Sequence, residues 1–326
     1  MISWLTSRIL QAAGVVLATT IVVFLGINAI GNPVDVLAAP DATPAERLQA
    51  AKDFGLDLPL WQQYFTFLER MFQGNLGVSY VFNRPALEII LERLPATIEL
   101  AVATILLASV IGIPLGLIAG RRPGSLIARA LMSASIIGFS LPVFWVGILL
   151  IWVFAVLLGW LPSVGRGDTV MILGTRWSVF TVDGLKHLLL PTLSLLFIKI
   201  SLVIRVTEAA ARDIFPMEYI KFARAKGISE TRIISIHALK NVLIPVITVI
   251  GLEFASLISA SIVVESIFSW PGVGKLVIDS IDMLDRPVIL AYMVIAVLSF
   301  VIVNFVVDVI YAVLDPRVRS GGLADE

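Results

Sequence analysis

The chain has 326 residues, 58% hydrophobic and 15% charged, with 24 basic residues against 24 acidic ones and no cysteine. A mean hydropathy of +0.97 is far above that of water-soluble globular chains and places the protein in a bilayer. Zero net charge removes the electrostatic case for nucleic acid, and the lack of cysteine excludes disulfides, thiolate metal sites and cysteine nucleophiles.

Six apolar stretches, near 9–30, 97–119, 130–158, 188–206, 242–264 and 288–314, are long enough to cross ~30 Å of hydrocarbon as helices. The first follows a lone Arg8, as a signal peptide would. Its apolar core runs too long for one and no clean small-residue cleavage site follows, so it reads as an uncleaved span. Residues 1–30 thus form an amino-terminal segment with the first span.

Residues 31–96 read as a small extracytoplasmic cap. A polar, helix-compatible run covers 44–54, then Trp61, Tyr64, Phe65 and Phe72 recur at roughly helical spacing, and Gly74 and Gly77 mark a turn. Packing of these aromatics against the outer bilayer interface is the plain reading, and receptor docking or substrate guiding the sharper one. From residue 97 onward lies the core transmembrane domain, 97–326.

In the second span Gly112, Gly116 and Gly120 recur every four residues, which predicts a face for close helix packing, bent near Pro114. Glu99, at the start of that span, reads as an interfacial or helix-start carboxylate. Pro142, Pro191 and Pro245 are expected at helix ends or kinks. In the fourth and sixth spans, Lys199 and Asp308 sit at similar depth, ~9 and ~10 Å of helix from Arg205 and Asp315, so an ion pair between them is one expectation. Snorkelling of Lys199, or a bond from Asp308 to Asn304, is the other.

The longest polar interval of the second half, 207–241, lies between two spans. Residues 219–226 predict a short helix with Tyr219, Phe222 and Ala223 on one face and Lys221 and Arg224 on the other. Gly227 would end it in a left-handed cap, and Ser229 would cap a second helix with Glu230 in its first turn. Ala223, Ala225 and Gly227 carry little side chain, so another protein could approach this corner closely. In the fifth span, Gly251, Ala255 and Ser259 form one stripe and Glu253, Ser256 and Ala260 a more polar one. A carboxylate there must face protein or water, as part of a substrate path or as a structural hydrogen-bonded pair.

Lysine and arginine set the orientation. With the amino terminus inside, 13 basic residues lie inside and ten outside, and five of those ten are spread through 31–96 among eight acids. Both termini are therefore expected in the cytosol, with the polar 207–241 interval. His187 and His237 then fall in different compartments and cannot share a metal.

The segments YIKFARAKGIS and HALKNVLIP, then VVESIFSWPGVGKL, then DPRVR, resemble in sequence and order the inner-membrane permease subunits of ABC importers, the dipeptide, oligopeptide and nickel group. RLPATIEL, IGIPLGLIAG and FSLPVFWVG extend the resemblance over nearly the whole chain. It implies an all-α, six-span membrane protein of the bacterial inner membrane, of the type I ABC importer-like permease fold. Its coupling loop would dock on the ATPase through Tyr219, Phe222, Ala223, Arg224, Ala225, Lys226 and Gly227. Glu208-Ala209-Ala210 is not the family's EAA signature, because the family spacing puts that glutamate's slot on Lys221. Glu253 stands where the family more often has glutamine, and Lys199 where it has an apolar residue.

The implied partners are a homologous second permease, two ATPase subunits, an extracytoplasmic substrate-binding protein and the lipid bilayer. No cofactor is expected on this chain, ATP and magnesium belonging to the ATPase, and no catalysis. No phosphate-cradling glycine loop is present, and Gly272–Lys275 is too short to be one. The solute would be a peptide or a related small molecule such as glutathione or a nickel chelate. The competing class is an ion-coupled secondary transporter, which would show repeat symmetry and paired acids at midplane. An intramembrane enzyme would need a nucleophile with its base, or a metal cluster, within the spans.

Overall fold

A computed structural model describes residues 2–30, 34, 43–53 and 55–314. The DPRVR motif and Pro33 lie outside the described residues. The helices are α1 (Ile2–Ile30), α2 (Pro44–Asp53), α3 (Leu60–Phe72), α4 (Ala86–Arg121), α5 (Leu126–Ser140) and α6 (Val143–Leu150), the last continuing as a π-helical Ile151–Leu157. A short hairpin of β1 (Val170–Ile172) and β2 (Thr175–Trp177) follows. Then come α7 (Val182–Ile214), α8 (Glu218–Ala225), α9 (Glu230–Arg232) with a π-helical Ile233–Ala238, α10 (Leu239–Ile267), α11 (Val273–Asp282) and α12 (Arg286–Leu314).

Among the described residues, four helical stretches are long and apolar enough to cross a membrane: Ala86–Arg121, Val182–Ile214, Glu230–Ile267 and Arg286–Val306. The stretch read as one span over 130–158 is instead two helices bent by 97°, and the pair counts as a fifth crossing if taken together. The break has a local cause. Pro142 bars Leu141 from the helical region, and both residues are extended, with ψ of 128° and 130°. Pro191 and Pro245, by contrast, sit inside α7 and α10.

The chain divides into two compact units. The first comprises the described residues of Met1–Thr97, Ile172–Thr175 and Pro271–Val301. Of its polar run, Pro44–Asp53 forms α2, opened by a capping box in which the Thr43 amide donates to Glu46 at 2.8 Å. That bond holds the Glu46 carboxyl below the usual carboxylate range. One face of α3 packs on α1: Tyr64 meets Thr20 through their hydroxyls at 3.0 Å, and Phe24 contacts both Tyr64 and Phe67. Trp61, Phe65 and Phe72 stay exposed on α3, so the aromatic set divides, Tyr64 turning inward. Asp285, fully buried, accepts from the Ser79 hydroxyl and from the Tyr80 and Val81 amides, which fixes the turn before α4.

The second unit comprises Ile98–Met171, Arg176–Trp270 and the described part of Ile302–Glu326. It is built around α7, which carries buried residues from Gly184 to Ile214 and packs against α5, α6 and α10. The α4 glycines meet α7 at close range. A Cβ at Gly112 would lie 2.9 Å from Val203, at Gly116 2.5 Å from Thr207 and 2.8 Å from the Ile204 carbonyl, and at Gly120 2.6 Å from Ala211. Only glycine permits that approach of two backbones. We expect Gly116→Leu to cost about 3 kcal/mol by overpacking, read as a lowered melting temperature of the purified chain. Gly14→Leu on α1, where a Cβ would meet nothing within 4 Å, is expected to leave the melt unchanged.

Glu99 lies well inside α4, not at its start. Only 4% exposed, it gathers Arg166 (3.0 Å to Nε, 2.8 Å to Nη2), the Ser178 amide and hydroxyl, and the Val179 amide, closing the 159–181 loop onto α4. A carboxylate with this many donors is stable when buried, and the separation of Glu99 from Ser178 by 79 positions hid the arrangement from the sequence.

Candidate functional site

The polar interval folds as two helical pieces with a corner between them. Met217 is extended and starts α8, with Glu218 in the first turn where the helix dipole favours an acid. At the other end Gly227 has φ +73°, with its amide on the Arg224 carbonyl at 2.9 Å and the Ile228 amide on the Ala223 carbonyl at 3.2 Å. This is the left-handed glycine cap that the sequence indicates.

The facing of α8 differs from the expectation. Ile220 and Ala223 are the buried pair, joined by Phe215, whereas Tyr219 and Phe222 are 39% and 61% exposed. Residues three apart share a helix face, and the apolar pair at that spacing wins the interior over the larger aromatics. Ile220 and Ala223 belong to one buried cluster with Val203 and Ala211 of α7, Ile233, and Val242 and Val246 of α10. Outward, the Lys226 Nζ lies 4.5 Å from the Phe222 ring centroid, and the Tyr219 hydroxyl accepts from Asn241 at 2.7 Å. Arg224, Ala225, Lys226 and Gly227 are all exposed.

Glu230 ties the corner down. It accepts from Arg224 Nε at 2.8 Å and from Arg121 Nη2, at the end of α4, at 3.0 Å. Ser229 is extended at the start of α9 but makes no side-chain cap bond, so the capping role given to it is not realised. The clamp was missed because Arg121 is 109 positions away; the signal available was that both residues were assigned to the same side of the membrane.

Deeper in the same unit, Lys199 of α7 donates to the Glu253 carboxylate and, at 2.7 Å, to the Ser256 hydroxyl, both on α10. Ser256 in turn donates to the Glu253 carbonyl at 2.9 Å. The lysine side chain is 8% exposed and the glutamate 22%. Lys199 is thus directed at α10, and the Asp308 side chain, its expected partner by depth, lies outside the described residues. Position along a helix gives depth but not azimuth, so depth alone does not single out Glu253. Ser256 and Ala260 are exposed beside Glu253, while Gly251 and Ala255 of the other stripe are buried and Ser259 is not.

His187 holds its ring to the Asp183 carbonyl at 2.9 Å through Nδ1, and His237 lies in the π-helical turn before α10. Among the described residues no group of three or more His, Asp or Glu is placed to hold a metal ion.

Apolar membrane-length helices, an exposed short helix with a glycine corner, and a core joining that helix to two of the long helices define a multi-pass membrane protein with a surface helix tied to its spans. The chain belongs to the family described as binding-protein-dependent transport system inner membrane component, which matches residues 112–320, and the family's N-terminal region matches residues 1–101. It is an ABC importer permease subunit of the inner membrane.

Among its relatives, the di/tripeptide transport system permease protein DppB of Pseudomonas aeruginosa (strain UCBPP-PA14) is 36% identical, over 98% of this chain and 99% of that one. The oligopeptide transport system permease protein AppB of Bacillus subtilis (strain 168) is 38% identical, over 98% and 100%. The glutathione transport system permease protein GsiC of Escherichia coli O6:H1 is 36% identical, over 98% and 99%. In fold, the chain is similar to a chain of the inward-facing MetNI methionine ABC transporter, with a TM-score of 0.52 at 18% identity, covering 70% of this chain and 96% of that one. Family membership decides against the ion-coupled reading.

Proposed function

We propose that this permease forms half of a pathway for peptides, or a related small solute such as glutathione, driven by a separate ATPase. The named relatives support the substrate class. The observation that carries the mechanism is the core shared by α8, α7 and α10. Because Ile220 and Ala223 pack in that core, a push on the exposed side of α8 moves the two membrane helices that hold the charge site.

In this reading the chain crosses the membrane six times, with α1 as the first crossing and both termini in the cytosol. A homologous second permease completes the pathway, two ATPase subunits supply the stroke, and an extracytoplasmic binding protein delivers the solute. ATP and magnesium stay on the ATPase, and this chain is non-catalytic. Tyr219, Phe222, Arg224, Ala225, Lys226 and Gly227 form the docking surface, with Ala223 anchoring it from beneath. Glu253, Ser256 and Ala260 line the path, the glutamate held by Lys199.

Cysteines introduced at Ala45 and Ser229 are expected to label from opposite sides of sealed cells, Ala45 from outside. Labelling of Ser229 from outside would overturn the topology and the coupling role together. Uptake of labelled di- and tripeptides by the reconstituted complex, against glutathione and a nickel chelate, tests the substrate class.

A further inference from the structure

Within the first unit is a cavity of about 520 Å³, a size typical of small-molecule sites. Its wall is divided in kind. Lys52 of α2, Arg70 of α3 and Arg286 at the start of α12 bring three positive charges to it, and among the described residues that line it there is no aspartate or glutamate. Phe24 of α1, Phe67 of α3 and Leu290 of α12 supply apolar surface.

The wall is built from fixed parts. Gln63 donates through Nε2 to the Leu58 and Leu56 carbonyls at 2.7 and 3.2 Å, bracing the segment between α2 and α3. The Asn75 side chain accepts from the Gly77 amide at 2.9 Å, and Gly77 lies against Pro287. Asp285, beside Arg286 in sequence, directs its oxygens to Ser79, Tyr80 and Val81 and is not part of the wall. Burial pushes the Tyr80 hydroxyl, in the same wall, above its ordinary pKa.

A wall that carries Lys52, Arg70 and Arg286, with no acid among its described lining residues, favours the entry of an anion. An inorganic ion alone would leave the apolar wall wet, whereas an apolar chain attached to the anion would cover it. We propose that this cavity binds an amphiphile with an anionic head, a carboxylate or phosphate joined to an apolar chain. The head meets Lys52, Arg70 and Arg286, and the chain meets Phe24, Phe67 and Leu290. The proposal does not depend on the coupling reading, since none of these residues lies in α8 or at the Lys199 site.

The test uses the full-length chain in phosphatidylcholine nanodiscs with radiolabelled dodecyl phosphate. Saturable binding is expected, with Lys52→Gln combined with Arg70→Gln weakening it about tenfold or more, and Lys52→Arg with Arg70→Lys keeping it within about threefold. Lys52 and Arg70 are exposed, and the melting temperature of each variant checks that it is folded. Thr66→Trp, which fills the cavity without altering charge, is expected to weaken binding as well. Displacement of the probe by phosphatidylglycerol in the disc would identify a membrane lipid as the source of the head group, whereas displacement by inorganic phosphate at equal concentration would overturn the role of the apolar chain. Undiminished binding in the glutamine variant, or equal binding of dodecyltrimethylammonium, would overturn the proposal.

Discussion

Replacing Gly227 with valine will cut ATP-driven uptake about tenfold or more in a chain that still inserts in the membrane. The backbone there has φ +73°, where a side chain branched at Cβ is strained, yet a Cβ on this glycine would meet nothing within 4 Å. The penalty therefore comes from conformation and not from a clash within the chain. Valine relaxes by opening the corner, which moves α8 relative to Glu230 and adds bulk where the ATPase would approach. Gly227→Asn, which tolerates the left-handed region, should keep most of the uptake. The decisive measurement is solute-stimulated ATP hydrolysis beside transport in proteoliposomes. If the valine complex kept its assembly and its stimulated hydrolysis, the corner would be only a basic face lying on anionic lipid.

The other large effect is expected at the membrane charge site. Lys199→Met leaves the half-buried Glu253 carboxylate without its cation; removing one partner of a fully buried pair typically costs about 3–5 kcal/mol, and the lower end of that range is expected here. Glu253→Gln should be milder, because an amide still accepts from Lys199 Nζ, although the lysine then carries an unbalanced charge. The double variant Lys199→Met with Glu253→Gln should recover much of the loss, since no ionised group is then left at the site. Thermal stability of the purified chain in a double-mutant cycle measures this. Coupling below about 0.5 kcal/mol would exclude the pair as a structural unit. The same cycle with Asp308→Asn should be additive, since Lys199 is turned toward α10.

What the sequence made legible follows from the range of the interactions concerned. The helical corner at Gly227, the Gly112, Gly116 and Gly120 stripe, and the polar face of α10 are all local patterns, readable within a few turns. The break at Pro142 was visible as a proline but not as a 97° bend, because the proline forbids one conformation and packing chooses the angle. The Glu99, Glu230 and Asp285 hubs all depend on partners scores of residues away. Composition offers no period or spacing that would bring Arg121 to Glu230. On α8 the expected sharing of one face by Tyr219, Phe222 and Ala223 fails at Ala223 alone, because Phe215, Ile220 and Ala223 together fill the interior.

The π-helical Ile233–Ala238 turn just before α10 carries a further consequence. A wider turn of this kind accommodates one residue more than an α-helix would, and each residue of an ordinary helix turns it by about 100°. The turn therefore acts as a phase setting for everything after it. Deleting one residue between 233 and 238 would let that stretch relax to α-helix, with the chain before it still anchored by Ile233 and the Glu230 clamp. Because the wide turn had already absorbed that residue, α10 would keep its facing; an α-helical turn that kept all six residues would instead rotate α10 by about 100° and take Glu253 and Ser256 away from Lys199. The azimuth of the charge site is thus written at the loop end of the helix, some four turns away, beside the very corner that the ATPase is proposed to move. A small unwinding of that end would steer the site as a wrist turns a hand, with no need for the whole helix to tilt.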